Sequence, residues 1–367
     1  MFYQTIEYNN MIRTLNFWNL LITSLGVIIL CSCDKLTDPD SEEITELLDI
    51  PGYYFENNYL ENRTQAILEA INECSGDYEA FFWITDIHWE SENNTRLSPS
   101  LIKYIASKTK IDKIINGGDN GNSQNICKNA ISILKKAIGS DRVYSVTGNH
   151  EIYDASGYEN PYERVAEELR GHNNDIVYGD TKKSYFYFDN AEGKVRYVGL
   201  SSYGQFVNND HESCYTKEQL DWFKNTALNV ESGWHIVVFS HTLYYVSCAT
   251  DNLCIGPAGA SDFINAIDYY KGDGIISCVL LGHTHRDRIH IGRMGVPYIM
   301  SASDRFAPYK GDINVERIPG TICEQHFEVV ILDKGKRQLK LFSIGGLARD
   351  GHDNDPGDCV DVRIVNF

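Results

Sequence analysis

The chain has 367 residues, with 33 Lys plus Arg against 51 Asp plus Glu for a formal net charge of −18, and 43% of its residues are hydrophobic. That is globular composition, enough for one large α/β domain or two ordinary ones with a sizeable core. It excludes collagen-like, coiled-coil and polytopic membrane architectures, and the acidic balance argues against a general nucleic-acid binder, which needs basic surface to replace phosphate counterions.

Residues 17–31 (FWNLLITSLGVIILC) are about fifteen largely apolar positions, short of the roughly 20 that span a bilayer as a helix. They suit the h-region of a secretory signal, with Arg13 supplying the positive n-region and Met11 an alternative start. The run closes Leu30-Cys31-Ser32-Cys33 and turns polar at Asp34-Lys35. This resembles a bacterial lipobox, and the resemblance implies export, a lipid anchor at Cys33 and a periplasmic or cell-surface location. Residues 1–33 are therefore expected to be a signal peptide, 34–76 an acidic tether and N-terminal extension, and 77–367 one functional domain. Export places the eight remaining cysteines in an oxidising compartment. Cys248 and Cys254 flank a short polar loop and are the easiest local pair, whereas Cys278 sits in an apolar strand and reads as a buried thiol. No CxxC pair is present, which argues against a cysteine-rich zinc site.

From about Asp77 short apolar runs alternate with helical segments. FFWIT (81–85), KIINGG (113–118) and VYSVTG (142–147) read as strands. Helices are expected from Ser98-Pro99, over 124–138 and over 161–170. Strand–helix–strand at this spacing implies parallel neighbours joined by right-handed crossovers. SYFYFD (184–189) and KVRYVGL (194–200) read as a hairpin. A helix at 216–228, the strand HIVVFS (235–240), a helix at 260–270 and the strand ISCVLLG (276–282) follow. After residue 288 mainly strands are expected, including VPYIMS (296–301), FEVVIL (327–332) and QLKLFSI (338–344). The expected fold class is α/β, with two packed mixed β-sheets flanked by helices.

Polar residues of metal-binding type recur where a strand has just ended: Asp86-Ile87-His88, Gly118-Asp119-Asn120, Gly148-Asn149-His150-Glu151, Ser240-His241 and Gly282-His283-Thr284-His285. Ligands of open α/β sheets bind beyond the carboxyl ends of the strands, so five such loops can converge on one crevice. Mixed imidazole and carboxylate donors suit Zn, Mn, Fe or Ni rather than Ca or Mg alone. Seven side chains exceed the needs of one four-coordinate ion, whereas two ions sharing a carboxylate would use them all. The glycines at 118, 148 and 282 are expected to let the backbone turn tightly beneath the metals.

DIH, GGDN, GNHE, SH and GHTH in this order resemble the calcineurin-like metallophosphoesterases over residues 80–290. The resemblance implies that Asp86, His88, Asp119 and His285 hold one divalent ion and Asp119, Asn149, His241 and His283 the other, with Asp119 bridging. It further implies a water or hydroxide between the metals that attacks phosphorus. His150 would protonate the leaving oxygen or stabilise the transferred phosphoryl charge, and Glu151 would be an orienting or surface carboxylate. Asn122 stands where purple acid phosphatases carry tyrosine, which argues against an iron–tyrosinate site. Phosphoprotein phosphatases carry aspartate then arginine there, and Asn122-Ser123 offers neither. Trp89, Tyr153, Tyr244 and Tyr245 either line the substrate mouth or pack the core.

The expected function is two-metal hydrolysis of a small phosphomonoester or phosphodiester outside the cytoplasm. Long nucleic acid is not an expected partner, and the membrane is met only through the lipid anchor. The rival is an inactive surface-binding lipoprotein that retains the fold; an intact His150 and a full ligand set count against it.

Overall fold

The strand Tyr78–Ile84 (β1) shows how the layers arise. Period-two alternation sends Phe82 and Ile84 to one face and Phe81 and Trp83 to the other, and all four are buried. Both faces of its sheet are therefore covered. In the computed structural model of the chain, residues 46–74, 76–90, 94–153, 175–179, 184–203, 214–243, 259–305, 317–346 and 361–367 are described. The expected signal and lipobox, the helix at 161–170 and the Cys248–Cys254 pair lie outside them.

β1 is joined in parallel by β2 (Ile114–Asn116) and β3 (Val143–Ser145). On its other side run β11 (His326–Asp333), β12 (Gln338–Gly345) and β13 (Val362–Asn366), all antiparallel. The second sheet is ordered β4-β5-β6-β7-β8-β10-β9. Its members are β4 (Val177–Tyr178), β5 (Phe186–Asn190), β6 (Val195–Leu200), β7 (His235–Ser240), β8 (Ile275–Leu281), β9 (Arg288–Ile291) and β10 (Pro297–Met300). β6, β7, β8 and β10 are parallel and the edges antiparallel. Both sheets are thus mixed, as the expected fold class has it, with the strand–helix–strand units supplying the parallel pairs.

Helices cover the outer faces. α1 (Tyr59–Asn72), α2 (Ser98–Thr109) and α3 (Gln124–Ile138) pack Leu60, Ile67, Leu101, Ile105 and Leu134 against Phe82, Ile84, Ile114 and Phe327 of the first sheet. Pro99 sits in the first turn of α2, where its missing N–H costs nothing. Ser123 caps α3 by accepting from the Ile126 N–H, and Gly139 ends it in the left-handed conformation. α1 falls within the segment 34–76 expected as tether and extension, yet it is built into this core. On the second sheet lie α5 (Lys217–Trp222) and α6 (Ala260–Asp268), preceded in the chain by the short α4 (His150–Tyr153). The helix expected over 216–228 leaves α geometry at Phe223–Ala227, a π-helical turn.

Between the sheets Phe81, Trp83, Tyr144, Phe188, Tyr197 and Phe239 form the central layer. Tyr144 of one sheet stacks on Phe188 of the other, with ring centroids 3.5 Å apart, and Tyr197 continues the stack at 4.7 Å. Cys278 is a buried free thiol in β8, as an apolar strand requires. Cys323 is engaged in a disulfide. Among the described residues no helix is long and apolar enough to cross a membrane.

Candidate metal centre

The parallel strands of both sheets deliver their carboxyl ends to one edge. β1 hands over to Asp86 and His88, β2 to Asp119, β3 to Asn149 and His150, β7 to His241, and β8 to His283 and His285. The first two loops are laced together by backbone bonds: the N–H groups of Asp86, His88 and Trp89 donate to the carbonyls of Gly118, Asp119 and Asn120 at 2.9–3.0 Å. Asp86, His88, Asp119, His283 and His285 all have φ between +46° and +69°. Such backbone is costly for residues other than glycine and persists only where the surroundings over-determine it.

The glycines beneath them serve different ends. Gly118 does need its φ of +89°. Gly148 and Gly282, expected to provide tight turns, are instead demanded by space. A Cβ at 148 would lie 2.0 Å from Asp119 Oδ1, and one at 282 would lie 2.5 Å from Asp86 Oδ2.

Two groups of three side chains result, Asp86 with His88 and His285, and Asp119 with His241 and His283; within each, the ligand atoms lie within 4.8 Å of one another. His285 Nε2 is 3.2 Å from Asp86 Oδ1 and from His88 Nε2. His241 Nε2 is 3.2 Å from Asp119 Oδ2 and 3.9 Å from Asp86 Oδ1. Asp119 Oδ2 is also 3.9 Å from His88 Nε2, so this carboxylate stands between the groups. Asn149 is half-buried, with its Oδ1 accepting from the Tyr203 hydroxyl at 3.2 Å. His283 is the exposed member of the set.

The donors fit divalent ions. Asp86 and Asp119 are buried, a setting that opposes ionisation, yet the neighbouring imidazoles hold both carboxyls below the usual range. Burial pushes His88 down to about 3, against the pull of Asp119, so its imidazole stays neutral. His241 is also desolvated, but Asp119 and Asp86 together push it up to about 10. Without an ion, a proton on His241 supplies the positive charge these carboxylates require. His241 Nδ1 is committed to the Gly117 carbonyl at 2.8 Å, and the buried Nε2 is turned toward the Asp119 carboxylate. That is the arrangement of a histidine oriented by its second nitrogen to offer the first to a metal.

Several residues that matter here were not read as ligands. Glu151 is buried, not on the surface. Its carboxylate accepts from the N–H groups of Asp119 (3.0 Å), Asn120 (2.5 Å) and Gly148 (2.7 Å), tying the second loop to the third. Burial, then the Asp119 charge, raises it to about 7. Asn122, noted in the sequence for what it lacks, meets His150: its Oδ1 pairs with His150 Nδ1. His150 Nε2 is left 3.8 Å from Asp119 Oδ2, with the side chain 28% exposed, enough to meet a ligand. Trp89 is core, packed with α2. Tyr244 and Tyr245 lie outside the described residues.

The model of the calcineurin-like phosphoesterase family matches residues 80–287. The chain belongs to that family. It is a metal-dependent phosphoesterase. No curated protein matches its sequence. Among solved structures, this calcineurin-like phosphoesterase is similar to a dimetal phosphatase from Danio rerio, at 14% identity over 78% of this chain and 98% of that one, TM-score 0.51. It is also similar to a phosphopantetheinyl hydrolase from Mycobacterium tuberculosis, at 14% identity over 62% and 91% of the two chains, TM-score 0.37. A 5′-nucleotidase from Candida albicans matches at 17% identity over 61% of this chain and 46% of its own, TM-score 0.38. At 14% identity the likeness to the dimetal phosphatase bears on the fold alone.

Proposed function

We propose that the protein hydrolyses a small phosphate ester with two divalent transition ions, outside the cytoplasm and tethered through a lipid on Cys33. The observation that carries the two-ion reading is the pair of His/Asp groups meeting at Asp119, buried but for His283. Asp86, His88, Asp119 and His285 would hold one ion, and Asp119, Asn149, His241 and His283 the other. Bound there, divalent ions supply Lewis-acid polarisation of phosphoryl oxygens and ready ionisation of water.

The chain's own groups do the rest. Asn122 fixes the His150 ring through Nδ1, so Nε2 is the nitrogen that meets substrate. It hands a proton to the departing oxygen as the P–O bond breaks. Glu151 holds the Asp119 and Gly148 turns at fixed separation. The extracytoplasmic location rests on the apolar run 17–31 and the Leu30–Cys33 sequence.

The test uses a soluble form beginning at Asp34, loaded with Mn, on p-nitrophenyl phosphate and its bis-ester, with Asp119→Asn as control. Turnover that the control abolishes supports the reading, and the ratio of rates assigns the ester class. Two bound ions without turnover on a broad ester panel would favour the inactive binding protein. Failure to bind any metal overturns the proposal.

A further inference from the structure

Glu90 lies two residues past His88, in the turn that leaves the first loop. Its position is set by its neighbours. Trp89 is buried against the α2 layer, and the Trp89 N–H bonds the Asn120 carbonyl at 2.9 Å. The Glu90 carboxylate is thereby laid along the Gly121-Asn122 backbone and receives the Asn122 N–H. Its Oε2 is buried and accepts no hydrogen bond. Gly121 makes the room, since a Cβ there would stand 2.9 Å from Oε2. A Glu90 carboxylate oxygen also lies within 4.8 Å of ring nitrogens of both His88 and His150. The two rings meet edge to face, their centroids 4.5 Å apart.

His150 is therefore held by Asn122 on one side and approached by the Glu90 carboxylate on another. Asn122 offers a neutral acceptor to Nδ1, which orients an imidazole but carries no net charge. Glu90 is the one carboxylate of the His88–Glu90–His150 group, and a half-buried charge at this range acts with little screening.

We propose that Glu90 is a positioning residue for His150, aligning its ring and supplying the negative charge that Asn122 lacks. This rests on the assignment of His150 as proton donor. In the step served, the P–O bond to the leaving group breaks as an O–P bond from water forms. The leaving oxygen takes the His150 proton, and the proton lost by water returns the ring to its starting state.

The experiment compares the metal-loaded wild type with Glu90→Gln, His150→Ala and the double variant. Substrates are p-nitrophenyl phosphate, whose leaving group needs little protonation, and an alkyl phosphate, whose leaving group needs much. We expect Glu90→Gln to slow the alkyl ester by about 10- to 100-fold and the aryl ester far less, and to add nothing in the His150→Ala background. Metal content by elemental analysis should stay at the wild-type ratio. Equal losses on both esters, additivity with His150→Ala, or a fall in bound metal that makes Glu90 a ligand would each overturn the proposal. Nitrogen NMR of the Zn-loaded protein decides it without turnover: Glu90→Gln should move the His150 ring signals, and unmoved signals refute it. A wild type inert on both esters while those signals move would fault the hydrolytic reading and leave the Glu90–His150 contact standing.

Discussion

His88 Nε2 and His285 Nε2 face each other at 3.2 Å, one imidazole delivered by each sheet. Two lone pairs so placed want a cation between them. Metal binding and fold stability should accordingly be linked. Saturation with Mn or Zn at about 100 times the dissociation constant should raise the unfolding free energy by about 3 kcal/mol per site, with a chelator reversing it. His285→Ala should lower the calorimetric stoichiometry from two ions to one. An unchanged melting curve on metal addition would refute this.

Glu151 offers a cleaner separation of structure from chemistry. Removing its carboxylate in Glu151→Ala leaves the buried N–H groups of Asp119, Asn120 and Gly148 without their acceptor. At about 1–3 kcal/mol for each such group, denaturant unfolding should show a loss of at least ~3 kcal/mol. Metal affinity should also fall, because the Asp119 carboxylate, which stands between the two candidate ligand groups, loses its register. Wild-type stability in this variant would mean the loops are held by other contacts.

A longer-range dependence runs through the C-terminal strand. Arg363 of β13 reaches Asp287, two residues after His285, and Glu328 of β11; both carboxylates are fully buried. Arg363→Met takes the cation from two buried carboxylates, and breaking a buried pair by removing one partner costs about 3–5 kcal/mol. Adding Glu328→Gln to Arg363→Met should recover part of that loss. A double variant as unstable as the single one would show that charge is not the cause.

Acid stability should have a specific contributor far from the metals. His235 opens β7 at the end opposite His241, bonded to Ser277 Oγ at 2.9 Å. Burial, aided by Lys334, pushes it down from 6.5 to about 4. Between those values the unfolded chain binds a proton that the folded chain refuses, so stability drops as pH falls from 6.5 to 4. His235→Gln should flatten the slope of unfolding free energy against pH in that window, measured by urea titration.

Much of this was legible beforehand because the signals were local. FFWIT, HIVVFS and ISCVLLG are apolar runs of strand length, and the residues after them declare their chemistry by type. The 177–178 strand was missed because two residues are too few to show a period, and α1 because its helical face lay in a segment read as acidic tether and N-terminal extension. Glu151 and Glu90 illustrate the other limit. A carboxylate looks the same in sequence whether it solvates a surface or accepts three backbone N–H groups in a dry turn. What decides is the approach of loops some 30 residues apart in the chain, and periodicity carries no trace of that. Gly148 and Gly282 belong to the same class: their identity answers a side chain across space, not a dihedral angle.

The division of the candidate ligands between the sheets makes the centre a gauge of their alignment. Asp86, His88 and Asp119 ride on one layer and His241, His283 and His285 on the other, with the Tyr144–Phe188–Tyr197 stack as the spacer between. An ion bonded to both layers tolerates only small changes in that spacing. Drift in the aromatic layer would thus be felt at the metals as surely as the loss of a ligand, and evolution of this site is tied to residues that never touch it.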